Sequence, residues 1–307
     1  MTRVLLLGGG PDAERQVSLN SAQSVAAALR SSGRWQVIEH TIEQHLSGDQ
    51  LAALPGEVIF PILHGPWGEG GPLQDLLEAD GRPYVSSGPV AARMAMDKIA
   101  TKILAAGLGI PTAPSAVLNL ADDVCPIGLP AVIKPVHEGS SVGLHICLDH
   151  TSWALAIASS RENHARVPNR VLMVERHIRG RELTVGMLDG SPLPIIEIQP
   201  AQGVYDYEAK YTREDTRYVI NPELPSGVAE RIARHSTLLA RGLGVRHLAR
   251  VDYLLDGAGV AWMLEINTLP GFTSHSLLPQ AARAVGLTMP DLCTRLIELA
   301  LRDAPRR

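Results

Sequence analysis

HLARVDYLLDGAGVAWMLEIN, residues 247–267, reads as two strands joined at Asp256-Gly257, because Asp-Gly between alternating apolar residues is a strong hairpin signal. Side chains alternate along a strand, so Arg250 and Asp252 share one face, as do Glu265 and Asn267. Val251, Tyr253, Leu264 and Ile266 then point the other way and fill a core. A polar strip on apolar strands has two readings. It is the solvated face of an antiparallel sheet, or it is a set of groups held for a ligand, since buried charge is costly unless paired or metal-bound. Converging oxygen-bearing side chains suit Mg²⁺, which prefers hard oxygen ligands in an octahedron.

Working outward, VLLL (4–7) is a short apolar strand running into three glycines. Ser18 is a candidate cap for a following helix that ends near Gly33. EVIFPIL (57–63) is a second buried strand, followed by a helix from about Pro72 to Ala79 and a short strand at PYVS. This strand–helix alternation predicts a small parallel sheet, with a boundary at Gly88-Pro89. A single long helix, VAARMAMDKIATKILAAG, opens the next unit, whose strands are PAVIKP, LHICL and VLMVE. RGRE (179–182) enters a last unit of strands LTVGML and LPIIEIQ, a polar loop through 202–215, a helix around 226–241, the hairpin and two terminal helices. The fold class expected is therefore α/β, becoming α+β in the second half, with units at 1–88, 89–178 and 179–307.

AVIKPVHEGSSVGLHI offers a lysine at a strand end followed by a Gly/Ser loop, which can present N–H groups and hydroxyls to phosphate. The same composition also suits a plain tight turn, and the order GxxxxGK[ST] of a Walker loop is absent. GGGPDAER fails the GxGxxG dinucleotide fingerprint because Ala13 stands where the third glycine belongs. There is no GxSxG and no HExxH, so hydrolase and zinc readings lack support. Only four of the 28 basic residues counted as Lys plus Arg are lysines: Lys98, Lys102, Lys134 and Lys210. A few lysines fall somewhere by chance, or a compact, flexible ammonium suits a bound phosphate at these positions better than a planar fork.

The 307 residues carry a net charge of −4, which argues against polyanionic partners such as nucleic acid or a membrane surface. The amino terminus is apolar for only four residues before glycine and charge, too short for a signal-peptide core. Cys125, Cys147 and Cys293 are odd in number and far apart, as expected of buried thiols in a reducing cytoplasm.

The ordered series GGxxAERxVSL, HGxxGExG, MDK, VIKPxxEGSSVG, YDYEAKY, ARVD and LEINTLPGFTSHS resembles the D-alanine–D-alanine ligases of the ATP-grasp superfamily. The resemblance spans the chain from Leu7 to the final helix. It implies a three-domain ATP-grasp architecture with ATP between the central and C-terminal units. It also implies Mg²⁺ (two ions, with Mn²⁺ as an alternative), D-alanine as the other substrate, a homodimer, and no nucleic-acid or membrane partner.

Carried over by position, Lys98 and Lys134 would contact phosphates, with Ser140 and Ser141 in the loop closing over them and Lys210 against the terminal phosphates. Glu175 would receive the adenine amino group beside the Ile178 backbone, and Glu182 would bind ribose. Asp252, Glu265 and Asn267 would hold the metal. Glu14 and His64 would take the first D-alanine, Ser276 and the Leu277 backbone the second, and Arg250 and the Gly271 N–H would face the developing oxyanion. Tyr211 would hydrogen-bond to Ser140 and through it to Glu14, favouring an amine over a hydroxy acid as nucleophile. The implied reaction makes an acyl phosphate from ATP and one D-alanine, which the amine of the second attacks.

Two positions depart from the pattern: Gly70 stands where many relatives have Asp, and Arg176 where several have Lys. The alternative readings are another ATP-grasp carboxylate–amine ligase, and a nucleotide-binding regulator that has lost turnover.

Overall fold

The computed structural model describes residues 1–139, 143–200, 215–273 and 275–304. β1 (Arg3–Gly9) is the centre of a parallel sheet of order β2-β1-β3, with β2 at Gln36–Ile42 and β3 at Val58–Ile62. Val4 to Leu7 are essentially without exposure, as a strand covered on both faces must be. PYVS supplies no full strand; Tyr84 makes an isolated parallel bridge to Ile59.

After β1 the chain turns at Gly9 and Gly10, with φ of 90° and 98°. A Cβ on Gly9 would lie 2.7 Å from the Ile42 carbonyl oxygen, so a side chain fits there neither by conformation nor by space. The helix that follows, α1, runs Arg15–Ser31 with Glu14 as N-cap residue. Ser18 is therefore inside the helix and is not its cap. Its hydroxyl is used otherwise, accepting from Gly9 N at 2.8 Å and donating to the Ile62 carbonyl. That tie fixes the ends of β1 and β3 side by side.

Beyond α2 (Gly48–Ala53), α3 (Gly65–Gly68) and α4 (Pro72–Asp80), the expected long helix is two: α5 (Pro89–Met96) and α6 (Lys98–Gly107). Asp97 breaks it, leaving the helical region at ψ 100° and accepting from Ile99 N and Ala100 N at 2.9 and 3.0 Å. An Asp side chain competes with the backbone for those donors, which favours a cap over continuation. The break makes Lys98 the first residue of a new helix.

The central sheet has order β4-β7-β5-β6 and is antiparallel, with β4 at Ser115–Val117, β5 at Ala131–Pro135, β6 at His145–Cys147 and β7 at Leu172–Arg176. α7 (His150–Arg166), capped by Asp149, buries Trp153, Ala156 and Ile157 in one core with Ile133 and Val174.

The third sheet is also antiparallel, of order β10-β9-β8-β11-β12. Its strands are β8 (Gly180–Leu188), β9 (Ser191–Gln199), β10 (Arg217–Ile220), β11 (Leu248–Asp256) and β12 (Ala261–Asn267). α8 (Val228–Leu243) covers one face, where Ile232 and Leu239 meet Val185, Val251 and Tyr253. α9 (Leu277–Ala284) and α10 (Met289–Arg302) return to the first sheet: Leu292, Leu296 and Ile297 share a core with Val4, Leu6 and Phe60.

His247 pins these parts together. Its backbone lies at φ 59°, its carbonyl accepts from Asp189 N, its Nδ1 accepts from Ser86 N at 3.2 Å, and its Nε2 lies 3.3 Å from Asp303. Burial, helped by Arg246 and opposed by Asp303, pushes its pKa down to about 4. The unfolded chain takes a proton near 6.5, so stability is fully present above that pH and falls as pH drops toward 4, by about 3 kcal/mol over the window. Asn tolerates the backbone and offers an acceptor to Ser86 N. His247→Asn is expected to flatten the fall in urea-unfolding free energy between pH 6.5 and 4, and parallel curves for the two proteins would refute this.

Candidate active site

A cavity of about 520 Å³ opens between the central sheet and the third sheet. Seven of the residues singled out from sequence line it: Lys98, Lys134, Glu175, Ile178, Glu182, Asp252 and Glu265. β5 carries Lys134 and its neighbour β7 carries Glu175, and the two side chains form an ion pair. Glu175 is buried, and its second oxygen lies 2.9 Å from Lys102 Nζ. Burial alone would raise the Glu175 pKa, but the charges of Lys134 and Lys102 outweigh it and hold the carboxyl below its ordinary range. Lys102 also donates to Thr112 Oγ1 at 2.7 Å. Burial pushes its ammonium below the ordinary range, with Glu175 pulling the other way. From the third sheet, Glu182 reaches the cavity beside Ile198 and Leu254, its register partners on β9 and β11.

The β11–β12 hairpin forms the far wall. Asp252 stands opposite Glu265, and Arg250 opposite Asn267. Arg250 holds Asp252 through Nε and Nη2 at 3.0 and 2.9 Å, and Thr184 Oγ1 donates to the same carboxylate at 2.6 Å. Glu265 lies 3.3 Å from Lys98 Nζ, which also donates to the Glu138 carbonyl at 2.6 Å. Val251, Tyr253 and Ile266 are buried on the other face, as expected. Leu264 is not: the register shifts between Asp252 and Tyr253, so Met263 pairs with Tyr253 and Leu264 joins Glu265 on the cavity side. One extra residue on a bulged strand reverses the alternation that sequence assumes.

Among the described residues no group of three or more His, Cys, Asp or Glu side chains is arranged to hold a metal. The hairpin set is different in kind, two opposed carboxylates and an amide. As oxygen donors, Asp252 and Glu265 on one cavity wall fit Mg²⁺. The Asn267 side-chain oxygen accepts from Leu269 N at 2.9 Å and keeps a second lone pair.

A second cluster borders this wall. Glu14 follows β1 and His64 follows β3, so neighbouring parallel strands deliver both from their carboxyl ends. A Cβ on Gly139 would sit 3.5 Å from a Glu14 oxygen, so Glu14 abuts the root of the Gly/Ser loop. Burial, with help from Arg250, pushes the His64 pKa down to about 4 against a hydrogen bond to the Leu269 backbone. The ring is neutral at pH 7. Gly271 lies where a Cβ would come 3.0 Å from Ser276 Oγ, and that hydroxyl accepts from Thr273 N at 2.9 Å. Leu277 is the first residue of α9. Ser140, Ser141, Lys210 and Tyr211 lie outside the described residues.

Sequence reasoning gave no duty to Lys102 or to Glu69. The first was detectable, because Lys98 and Lys102 are four residues apart and share a helix face. Glu69 is buried and accepts from Gly65 N at 3.1 Å. Burial first, then Glu14, holds its carboxyl well above the ordinary range. Gly70 also has a reason: a Cβ there would lie 2.3 Å from the Pro66 carbonyl oxygen, so this backbone admits no Asp. Arg176 is exposed at the cavity rim.

Comparisons with known proteins agree on one family. The profile described as D-ala D-ala ligase C-terminus matches residues 108–298. A D-alanine–D-alanine ligase of an Anaeromyxobacter species is 40% identical over 98% of both chains, and one from Acinetobacter baumannii is 38% identical over 97% of this chain and 96% of its own. The crystal structure of the Bacillus anthracis D-alanine–D-alanine ligase complexed with ATP superposes with a TM-score of 0.83 at 31% identity, covering 98% of this chain and 97% of that one.

The raised Glu69 pKa has a consequence for stability. The unfolded chain loses this proton near 4.5 and the folded protein keeps it, so its contribution is greatest below 4.5 and declines as pH rises. Glu69→Gln keeps an acceptor for Gly65 N and cannot ionise. Its unfolding free energy is expected to gain on the parent as pH rises above 4.5 in urea titrations; a gap that does not change with pH would count against it.

Proposed function

Because the chain belongs to the D-alanine–D-alanine ligase family, we propose that the cavity between the two antiparallel sheets is its ATP site. The Glu14, His64, Arg250, Gly271 and Ser276 cluster is then where two D-alanine molecules meet. The protein is an ATP-dependent ligase that makes D-alanyl-D-alanine, ADP and phosphate for peptidoglycan precursors. The observation that carries the assignment of the site is the convergence of Lys98, Lys134, Glu175, Glu182, Asp252 and Glu265 on one cavity.

On this reading the adenine amino group donates to Glu175 beside the Ile178 backbone, and ribose meets Glu182. Lys98 and Lys134 neutralise the phosphates, with Ser140, Ser141 and Lys210 supplied by the two loops. Phosphoryl transfer needs mostly position and charge from the protein. Asp252, Glu265 and Asn267 would hold Mg²⁺, which when bound neutralises charge on the phosphates. Glu14 receives the ammonium of the first D-alanine, with neutral His64 beside it, and the carboxylate of that D-alanine takes the terminal phosphoryl group of ATP to become the acyl phosphate, releasing ADP. Ser276 and the Leu277 N–H hold the carboxylate of the second, whose amine attacks the acyl carbon and expels phosphate. Arg250 and the Gly271 N–H stabilise the oxygen that becomes negative in that attack. The Tyr205–Thr216 loop excludes water from the acyl phosphate, and Tyr211 favours an amine as nucleophile through Ser140 and Glu14.

We further propose units at 1–88, 89–178 and 179–307, a homodimer, and a cytoplasmic location. The three cysteines are free and buried, and no helix of the described residues is long and apolar enough to cross a membrane.

Incubating the protein with ATP and D-alanine should release phosphate and yield D-alanyl-D-alanine by mass spectrometry. Glu265→Gln, which removes charge with little change of shape, should lower turnover at least ~100-fold, since several kcal/mol of charge stabilisation are involved. No phosphate release with any D-amino acid would favour a regulator, preference for D-lactate would remove Tyr211 as selector, and near-normal Glu265→Gln activity would remove the metal assignment.

A further inference from the structure

Lys102 is one of four lysines in the chain and does not line the cavity. Only 4% of its side chain is exposed, at the level of Glu175 with 5%. An ammonium has three donors, and three acceptors face this one: Glu175 at 2.9 Å, Thr112 Oγ1 at 2.7 Å and the Ala113 carbonyl at 3.4 Å. The ammonium is thus held by the protein, with hydrogen bonds to Thr112 and Ala113 and its charge against Glu175. Thr112 is itself anchored, donating to the Met263 carbonyl at 3.2 Å across an isolated bridge to β12. Lys102 thus connects the wall of the third sheet to Glu175 on the central sheet.

The other oxygen of Glu175 is paired with Lys134, which does line the cavity. Two ammoniums sharing one carboxylate leave a net positive charge, and the one facing the cavity is Lys134. With Lys102 removed, Lys134 alone would neutralise Glu175, and one buried oxygen of Glu175 would lose its ion-pair partner. We propose that Lys102 is a positioning residue for nucleotide binding: it holds Glu175 from behind and so leaves the Lys134 charge available to the triphosphate. This inference rests on the reading of the cavity as the ATP site.

The test is a double-mutant cycle with the full chain, reading the ATP dissociation constant by calorimetry without D-alanine. Lys102→Met keeps the length of the chain and removes its charge. It should weaken ATP about tenfold, within the range of couplings seen inside ion-pair networks. The KM for D-alanine should stay within about twofold, because Lys102 touches only the Glu175 side of the site. Glu175→Gln should also weaken ATP, and the double variant should bind no more weakly than Glu175→Gln alone. A purely structural role would give additive losses and would move both substrates. If Lys102→Met does not fold, Thr112→Val removes one of its anchors and should show a smaller loss with the same non-additivity. Parental ATP affinity in Lys102→Met, or in Thr112→Val where that is the variant used, overturns the inference, as does additivity. Parental affinity in Glu175→Gln overturns the cavity reading with it.

Discussion

Glu175, a buried carboxylate with a lysine on each oxygen, states the constraint that organises this protein. Placing a single charge between two sheets costs several kcal/mol unless a partner and hydrogen bonds offset it. Three carboxylates on the cavity walls are matched accordingly: Glu175 with Lys102 and Lys134, Glu265 with Lys98, Asp252 with Arg250 and Thr184. Among these seven charged groups four are cations and three are anions.

The fold supplies the partners from separate elements. The Asp97 break starts α6 at Lys98, and one turn later the same helix places Lys102 behind Glu175. β11 and β12 bring Arg250, Asp252 and Glu265 to one wall, and Arg250 also lowers the His64 pKa from across the boundary with the first sheet. Open parallel sheets collect ligands at the carboxyl ends of their strands. Glu14 and His64 follow the adjacent strands β1 and β3, which Ser18 ties together.

Much of this was readable beforehand because alternation and turn chemistry are local. The hairpin, the face shared by Arg250 and Asp252, and the strands carrying Lys134 and Glu175 follow from period and from Asp-Gly. The errors have non-local causes. Ser18 looked like a cap because nothing in sequence shows the Ile62 carbonyl it reaches. Leu264 was assigned to the core because a bulge is invisible to a period-two rule. β2, whose residues past Gln36 alternate little, and α7, whose apolar stripe is narrow, carry no clear periodic signal in the sequence. Glu69 carries no periodic signal; it sits at the turn at Gly65, near Glu14, which follows β1, and Arg250 and Glu265 of the third sheet. The seven motifs carried the family because their order is specific even where each alone admits a plain structural reading.

The most direct test of the central claim is a crystal structure of this protein with a non-hydrolysable ATP analogue and Mg²⁺. The account predicts the base between Glu175 and Ile178, the ribose at Glu182, and the phosphates against Lys98 and Lys134 facing Asp252 and Glu265. A nucleotide bound outside the cavity between the two antiparallel sheets, or within it but with its phosphates away from both lysines, would contradict it.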